Sequence, residues 1–221
     1  MHPTALLNCK SFVDCYGPFV QPKGRRPKIV EIGSLNVNGS LRDIVPERFD
    51  YVGVDFVAGN GVDVVLDDPY ALPFEDGSAD IVMASSVFEH SAMFWLLFLE
   101  IIRVLRPDGL FYLNVPSNGE FHRYPVDCWR FYPDSGIALV AWAARNGFPT
   151  MLIESYTSLQ HLDHWNDFVA VFLRDRMHID RFPRRIVESR ADVYNAIVHG
   201  NSNFEKFNAR TEDMMKIYGN T

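Results

Sequence analysis

Lys28-Ile29-Val30-Glu31-Ile32-Gly33-Ser34-Leu35-Asn36-Val37-Asn38-Gly39-Ser40 is the stretch on which the fold turns. A short apolar run meets a glycine, and a Ser/Asn-rich loop then leads into a short helix, Leu41 to Val45. Glycines at the carboxyl end of a strand let the backbone approach a ligand closely, and a helix N-terminus offers free N–H groups. The next apolar run, Tyr51-Val52-Gly53-Val54, ends at Asp55, about 20 residues beyond Gly33, where a carboxylate suits the two hydroxyls of a ribose. The turn carries Gly33 and Gly39 but no G-x-G-x-x-G, so nothing makes room for a pyrophosphate. A nucleoside with a smaller arm fits this spacing better than a dinucleotide.

Outward from this turn the pattern repeats. Val62–Leu66, Ala79–Ala84, Leu110–Val115, Met151–Tyr156 and Phe168–Leu173 are β-rich runs without polar alternation, as expected of parallel strands covered on both faces. Phe94, Leu97, Phe98, Ile101, Ile102 and Leu105 form one helical stripe that Arg106-Pro107-Asp108-Gly109 stops. Pro133 to Asn146 reads as a second helix, closed by Gly147. The alternation predicts an α/β fold: a doubly wound, mostly parallel, seven-stranded sheet with helices on both faces. Residues 1–27 read as an N-terminal helical segment, 28–174 as the sheet domain and 175–221 as a helical C-terminal extension. In that extension Pro183 opens a helix that Gly200 closes, and Phe204, Phe207, Met214, Met215 and Tyr218 suggest another. The extension reads as a lid, a homodimer contact, or plain packing against its own domain.

Composition narrows the class. Of the 221 residues 48% are hydrophobic and 22% charged, which excludes disordered and fibrous chains. The formal net charge of −7 argues against a nucleic-acid partner, which needs a basic surplus to displace counterions. Cys9, Cys15 and Cys128 follow no metal or disulfide spacing and read as free thiols of a reducing compartment. The greasiest run, Met93 to Leu105, is broken by Glu100 and Arg103 and is too short to insert in a membrane. With no basic-then-apolar leader at the N-terminus, a cytoplasmic location is expected. The clusters Lys23–Lys28 and Arg181–Arg190 read as solvated faces.

Further motifs follow in order: Asp67-Asp68-Pro69-Tyr70-Ala71-Leu72-Pro73-Phe74, Ser78-Ala79-Asp80-Ile81-Val82, Phe88-Glu89-His90 and Leu105-Arg106-Pro107-Asp108-Gly109. With Glu31-Ile32-Gly33 they make the chain resemble class I S-adenosylmethionine-dependent methyltransferases over roughly residues 28 to 174. The resemblance implies a Rossmann-like fold and S-adenosylmethionine as cofactor, with S-adenosylhomocysteine as product. It implies that Glu31, Gly33, Ser34, Asn38 and Gly39 hold the methionine arm, that Asp55 takes the ribose hydroxyls and that Phe56 packs on adenine. Either Asp67 or Asp68 would meet the adenine amino group; Pro69 has no N–H for the ring, which leaves the two alternatives open. Ser85, with Ser86, would lie beneath the reacting centre. The chain departs from the family pattern where Ser-Leu-Asn-Val-Asn thins the glycine-rich turn and where Phe88 replaces Leu.

Beyond the fifth run, His122-Arg123-Tyr124-Pro125-Val126-Asp127-Cys128-Trp129-Arg130-Phe131 resembles a segment of methyltransferases from glycan gene neighbourhoods. Tyr124, Asp127, Trp129 and Arg130 offer aromatic faces and charged forks to a saccharide or other small hydroxylated acceptor. Equally, Trp129 and Phe131 are candidate core anchors and Asp127–Arg130 a structural ion pair. A hydroxyl acceptor benefits from a general base near neutrality; His122 is the first candidate and His90 the second, with His161 and His164 further away. Asp127 and Asp163 are the visible carboxylates near the acceptor, so no metal is expected. N- or C-methylation of a natural product or lipid-linked acceptor, and a nucleoside-binding subunit without turnover, are the competing readings. A nicotinamide-dependent oxidoreductase is disfavoured, because Tyr124 has Cys128 rather than Lys four residues on.

Overall fold

The computed structural model describes residues 2–208. Its strands are β1 (Lys28–Ile32), β2 (Asp50–Asp55), β3 (Val64–Val65), β4 (Ala79–Ser85), β5 (Leu105–Pro116), β6 (Met151–Ser158), β7 (Asp167–Leu173) and β8 (Val193–Val198). They form one sheet in the order β3-β2-β1-β4-β5-β7-β6-β8. β1, β2, β3, β4 and β5 pair in parallel, whereas β7 lies antiparallel between β5 and β6, and β8 is antiparallel to β6. Chain order reverses between β1 and β4, so the connections leaving them diverge and open a crevice at the carboxyl ends of the strands.

Two expectations need correction. The sheet has eight strands rather than seven, because Val193–Val198, expected inside a helix, is the edge strand β8. The β6–β8 register shifts between Ser155 and Thr157, and Asn195 has φ +49°. That irregularity breaks the period of two that would have marked a strand. The extension is therefore not a helical unit among the described residues: it holds a 3-10 segment (Arg176–Arg181), one short helix, α4 (Ile186–Ser189), and β8. Phe204 and Phe207 are in irregular chain, and Met214, Met215 and Tyr218 lie outside the described residues.

Both sheet faces are buried, which is why the strands read as unbroken apolar runs. On one face Phe111, Leu113 and Phe172 pack against Phe98, Ile101 and Ile102 of α2 (Phe94–Val104), and Leu139 and Ala143 of α3 (Ser135–Arg145) join the same core. The alternate residues, Tyr112 and Val171 with Ile153 and Tyr156, share the opposite core with Cys9, Phe12 and Tyr16 of α1 (Pro3–Tyr16). Polar contacts fix α1 along the sheet. Asn8 Nδ2 donates to Asn114 Oδ1 (2.9 Å) and Ser158 Oγ (3.1 Å), while Arg190 Nη1 donates to Asn8 Oδ1 (2.5 Å). Thr4 donates through N (2.9 Å) and Oγ1 (2.8 Å) to Asp163 Oδ2, which carries His2 to the rim of the crevice. No helix among the described residues is long and apolar enough to cross a membrane.

Candidate functional site

The crevice holds a cavity of about 510 Å³, within the range of small-molecule sites. Its first wall is the β1–β2 end. Gly33, at the tip of β1, has φ +78°, and a Cβ there would lie 2.4 Å from Val87 Cγ2; only glycine suits both the conformation and the space. Gly39 N donates to Asn36 Oδ1 (2.9 Å), closing the turn. Asp55, at the tip of β2, is buried and accepts from Leu35 N through Oδ2 and from Val57 N through Oδ1, both 3.1 Å. These two bonds fix the carboxylate in a plane at the cavity wall, beside the half-exposed ring of Phe56.

Of the residues singled out by sequence, Gly33, Asn38, Gly39, Asp55, Phe56 and Ser85 line this cavity, as do His90, His122 and Tyr124. Glu31, Ser34, Asp67 and Asp68 are not among its lining residues. The Glu31 carboxylate is buried and accepts from Tyr51 Oη (2.6 Å) on the neighbouring strand, and burial pushes it up to about 7. Ser34 Oγ packs towards Gly53 and is buried without a hydrogen-bond partner. Asp67 and Asp68 are exposed, and Asp68 Oδ1 accepts from Tyr70 N (2.8 Å). The neighbouring Leu66, Pro69 and Tyr70 face the cavity in their place.

The opposite end is assembled from separate parts of the chain. Glu89 and His90 follow β4 in a 3-10 turn (Phe88–His90). Glu89 O accepts from Cys128 N (2.7 Å) and Trp129 N (3.3 Å), stapling the loop after β5 over that turn. Asp127 and Arg130 form a bidentate pair (2.6 and 2.9 Å), and Asp127 Oδ2 also accepts from His122 N (2.7 Å). The Arg130 guanidinium holds the Asp127 carboxyl down at about 2. Asp127 and Arg130 thus frame the loop that presents His122 rather than line the cavity themselves. Trp129 and Arg130 line a second hollow of about 420 Å³ with Phe94, Trp95, Phe131 and Trp142.

Both imidazoles have Nδ1 against a carbonyl: His90 with Val126 O (2.5 Å) and His122 with Glu120 O (3.0 Å). A carbonyl only accepts, so each Nδ1 carries a proton, and in the neutral rings Nε2 keeps the lone pair. The rings meet edge to face at 5.0 Å, and His122 also lies 4.9 Å from the Trp165 ring. Glu89 is fully buried, and burial pushes its carboxyl up to about 8; burial also lowers the pKa of His90. Near neutrality this end therefore holds neutral His90 and a largely protonated Glu89. Sequence reasoning quoted Glu89 within a motif without giving it a role, and it missed Tyr70, Trp165 and His2. The first had a signal, its position one residue before His90 past a strand tip; the last two come near through tertiary contacts alone.

Part of the chain is similar to known proteins. Residues 35–113 match the methyltransferase domain family. An uncharacterized methyltransferase of Mycolicibacterium gilvum is 54% identical over 76 residues, which is 34% of this chain and 26% of that protein. The phthiotriol/phenolphthiotriol dimycocerosates methyltransferase 1 of Mycobacterium ulcerans is 33% identical over 97 residues, 42% of this chain and 32% of the relative. The chain thus spans about a third or less of the length of these relatives. Among solved structures, the Burkholderia thailandensis 1,6-didemethyltoxoflavin-N1-methyltransferase, with S-adenosylhomocysteine bound, superposes with a TM-score of 0.58. The match has 14% identity and covers 77% of this chain and 78% of that one. Part of this chain is thus similar to methyltransferase domains, and the structural match shows a shared fold.

Proposed function

We propose that the protein is an S-adenosylmethionine-dependent methyltransferase that methylates a hydroxyl of a saccharide or other small acceptor. The observation that carries this reading is one cavity with Asp55 and Phe56 at one end and two imidazoles, each tied through Nδ1, at the other. The residues fit the cofactor. On this reading Asp55, fixed by two backbone N–H groups, would take the ribose hydroxyls, Phe56 and Tyr70 would flank the adenine, and the Gly33–Gly39 turn would admit the methionine arm. When bound, the cofactor supplies an electrophilic methyl group. The protein's work is then chiefly orientation of the acceptor for in-line attack. With no ion bound, His122 would accept the acceptor's proton at Nε2, with His90 as the second candidate, and Tyr124 lines the same cavity. The Mycobacterium ulcerans relative is named for phthiotriol and phenolphthiotriol dimycocerosates, acceptors in keeping with the lipid-linked alternative as well as with a hydroxyl acceptor.

Calorimetry with S-adenosylmethionine, S-adenosylhomocysteine and NAD tests the cofactor assignment. The first two are expected to bind saturably and NAD not to; binding of NAD alone overturns the reading. Transfer of labelled methyl to a panel of glycans, polyols, amines and lipid-linked alcohols then separates O-methylation from N- or C-methylation. Tight cofactor binding without transfer to any of them points to a non-catalytic subunit.

A further inference from the structure

We propose that Glu89, His90 and His122 form a binding site for one divalent first-row transition ion, such as Zn²⁺, at the acceptor end of the cavity. One ligating atom from each of the three residues lies within 4.8 Å of the others, and His90 Nε2 is 3.8 Å from Glu89 Oε1. Two imidazoles and one carboxylate are the donor set that such ions favour, with positions left open for water or substrate. Ligands around a bond of about 2.1 Å stand roughly 3–3.5 Å apart, so the three close inward by about an ångström when an ion binds.

Two further observations point to a ligand. Glu89 Oε2 is buried and has no hydrogen-bond partner among the described residues, an arrangement that costs free energy unless something completes it. Each imidazole, moreover, is oriented as metal-bound histidines are, with Nδ1–H given to a backbone carbonyl and Nε2 left for coordination. The expectation of no metal weighed Asp127 and Asp163. Neither belongs to this group: Asp127 is occupied by Arg130 and Asp163 by Thr4.

The ion would change how the acceptor is activated, and this consequence alone rests on the methyltransferase reading. With both Nε2 lone pairs committed to the metal, neither histidine is a base. A bound ion would instead supply Lewis-acid activation, lowering the pKa of an acceptor hydroxyl so that its proton could pass to solvent. The hydroxyl oxygen then forms the bond to the methyl carbon as the sulfonium C–S bond breaks.

The site itself is tested without cofactor. Protein stripped with a chelator is titrated calorimetrically with Zn²⁺, and with Co²⁺ followed by visible absorption. One ion per chain is expected, with a Kd of about 1 μM or tighter and the intense d–d bands of a low-coordinate Co²⁺ site. Glu89→Gln, His90→Ala and His122→Ala should each weaken binding by about 10–100-fold, while Cys128→Ser, an exposed thiol on the same loop, should not. Thermal unfolding confirms that each variant is folded. Absence of saturable binding to the wild type, or binding that the three variants leave unchanged, overturns the proposal. Neither result depends on whether S-adenosylhomocysteine binds, so this proposal and the methyltransferase reading fail separately.

Discussion

At the β1–β2 end of the cavity the contacts come from one short stretch, Ile32, Gly33, Leu35 and Val37 to Gly39, with Asp55 and Phe56, and backbone shapes this end: a positive-φ glycine and two N–H groups that aim a carboxylate. At the His122 end they come from His2, Glu89, His90, Ser91, Pro116, His122, Tyr124, Pro125 and Trp165, and the two imidazoles are held by backbone carbonyls of loops that meet there. The first end is local, so its residue types and spacing follow from how a chain leaves a buried strand. The second depends on loops meeting, so it has the freedom to change between proteins without disturbing the sheet. On the proposed function, cofactor recognition and acceptor choice are separated in the same cavity.

The largest expected effect tests that separation directly. His122→Ala should lower kcat for methyl transfer by about 10²–10⁴-fold while leaving S-adenosylhomocysteine affinity within about twofold, by calorimetry. A matching loss of cofactor affinity would show that the two ends are one site.

On the other side of the comparison, Glu31 is the buried acid of the cofactor end. Its pKa is raised in the folded protein to about 7, so its stabilising contribution is complete below the ordinary carboxylate range and is lost as pH rises through about 7. Glu31→Gln should abolish that loss, gaining about 2–3 kcal/mol relative to wild type between about pH 5 and about pH 8 in denaturant titrations. A difference independent of pH would mean that Glu31 is ionised throughout.

Asp55→Ala should weaken S-adenosylhomocysteine by about 30–100-fold, the worth of two charge-assisted hydrogen bonds, and leave zinc binding unchanged. The smallest effect is expected for Asp127→Asn, which frees Arg130 and loosens the loop under His122. It should reduce kcat/KM for the acceptor by about 3–10-fold with no change at the cofactor end, a steady-state measurement.

The same division decided what could be read in advance. β1, β2, β4, β5, β6 and β7 were legible because both sheet faces are buried and leave continuous apolar runs, and Gly33 and Asp55 because strand tips have few uses for such residues. β8 was hidden by the irregularity at Asn195, which spoils alternation on an edge strand. At the acceptor end His90 and His122 were visible as residue types, but their approach to Glu89 depends on Cys128 and Trp129 donating to its carbonyl. Asp127 and Arg130 read equally as substrate forks or as a structural ion pair in sequence, and in the fold they pair as a brace.

The anchoring of α1 also has a bearing on how the chain is made. Asn8 finds its polar partners at Asn114, Ser158 and Arg190, and Cys9, Phe12 and Tyr16 pack against strands from the second half of the sheet. During synthesis this helix leaves the ribosome before the later strands that cover it. Its apolar face must wait in water, or in the grip of a chaperone, until the sheet's far edge has been translated.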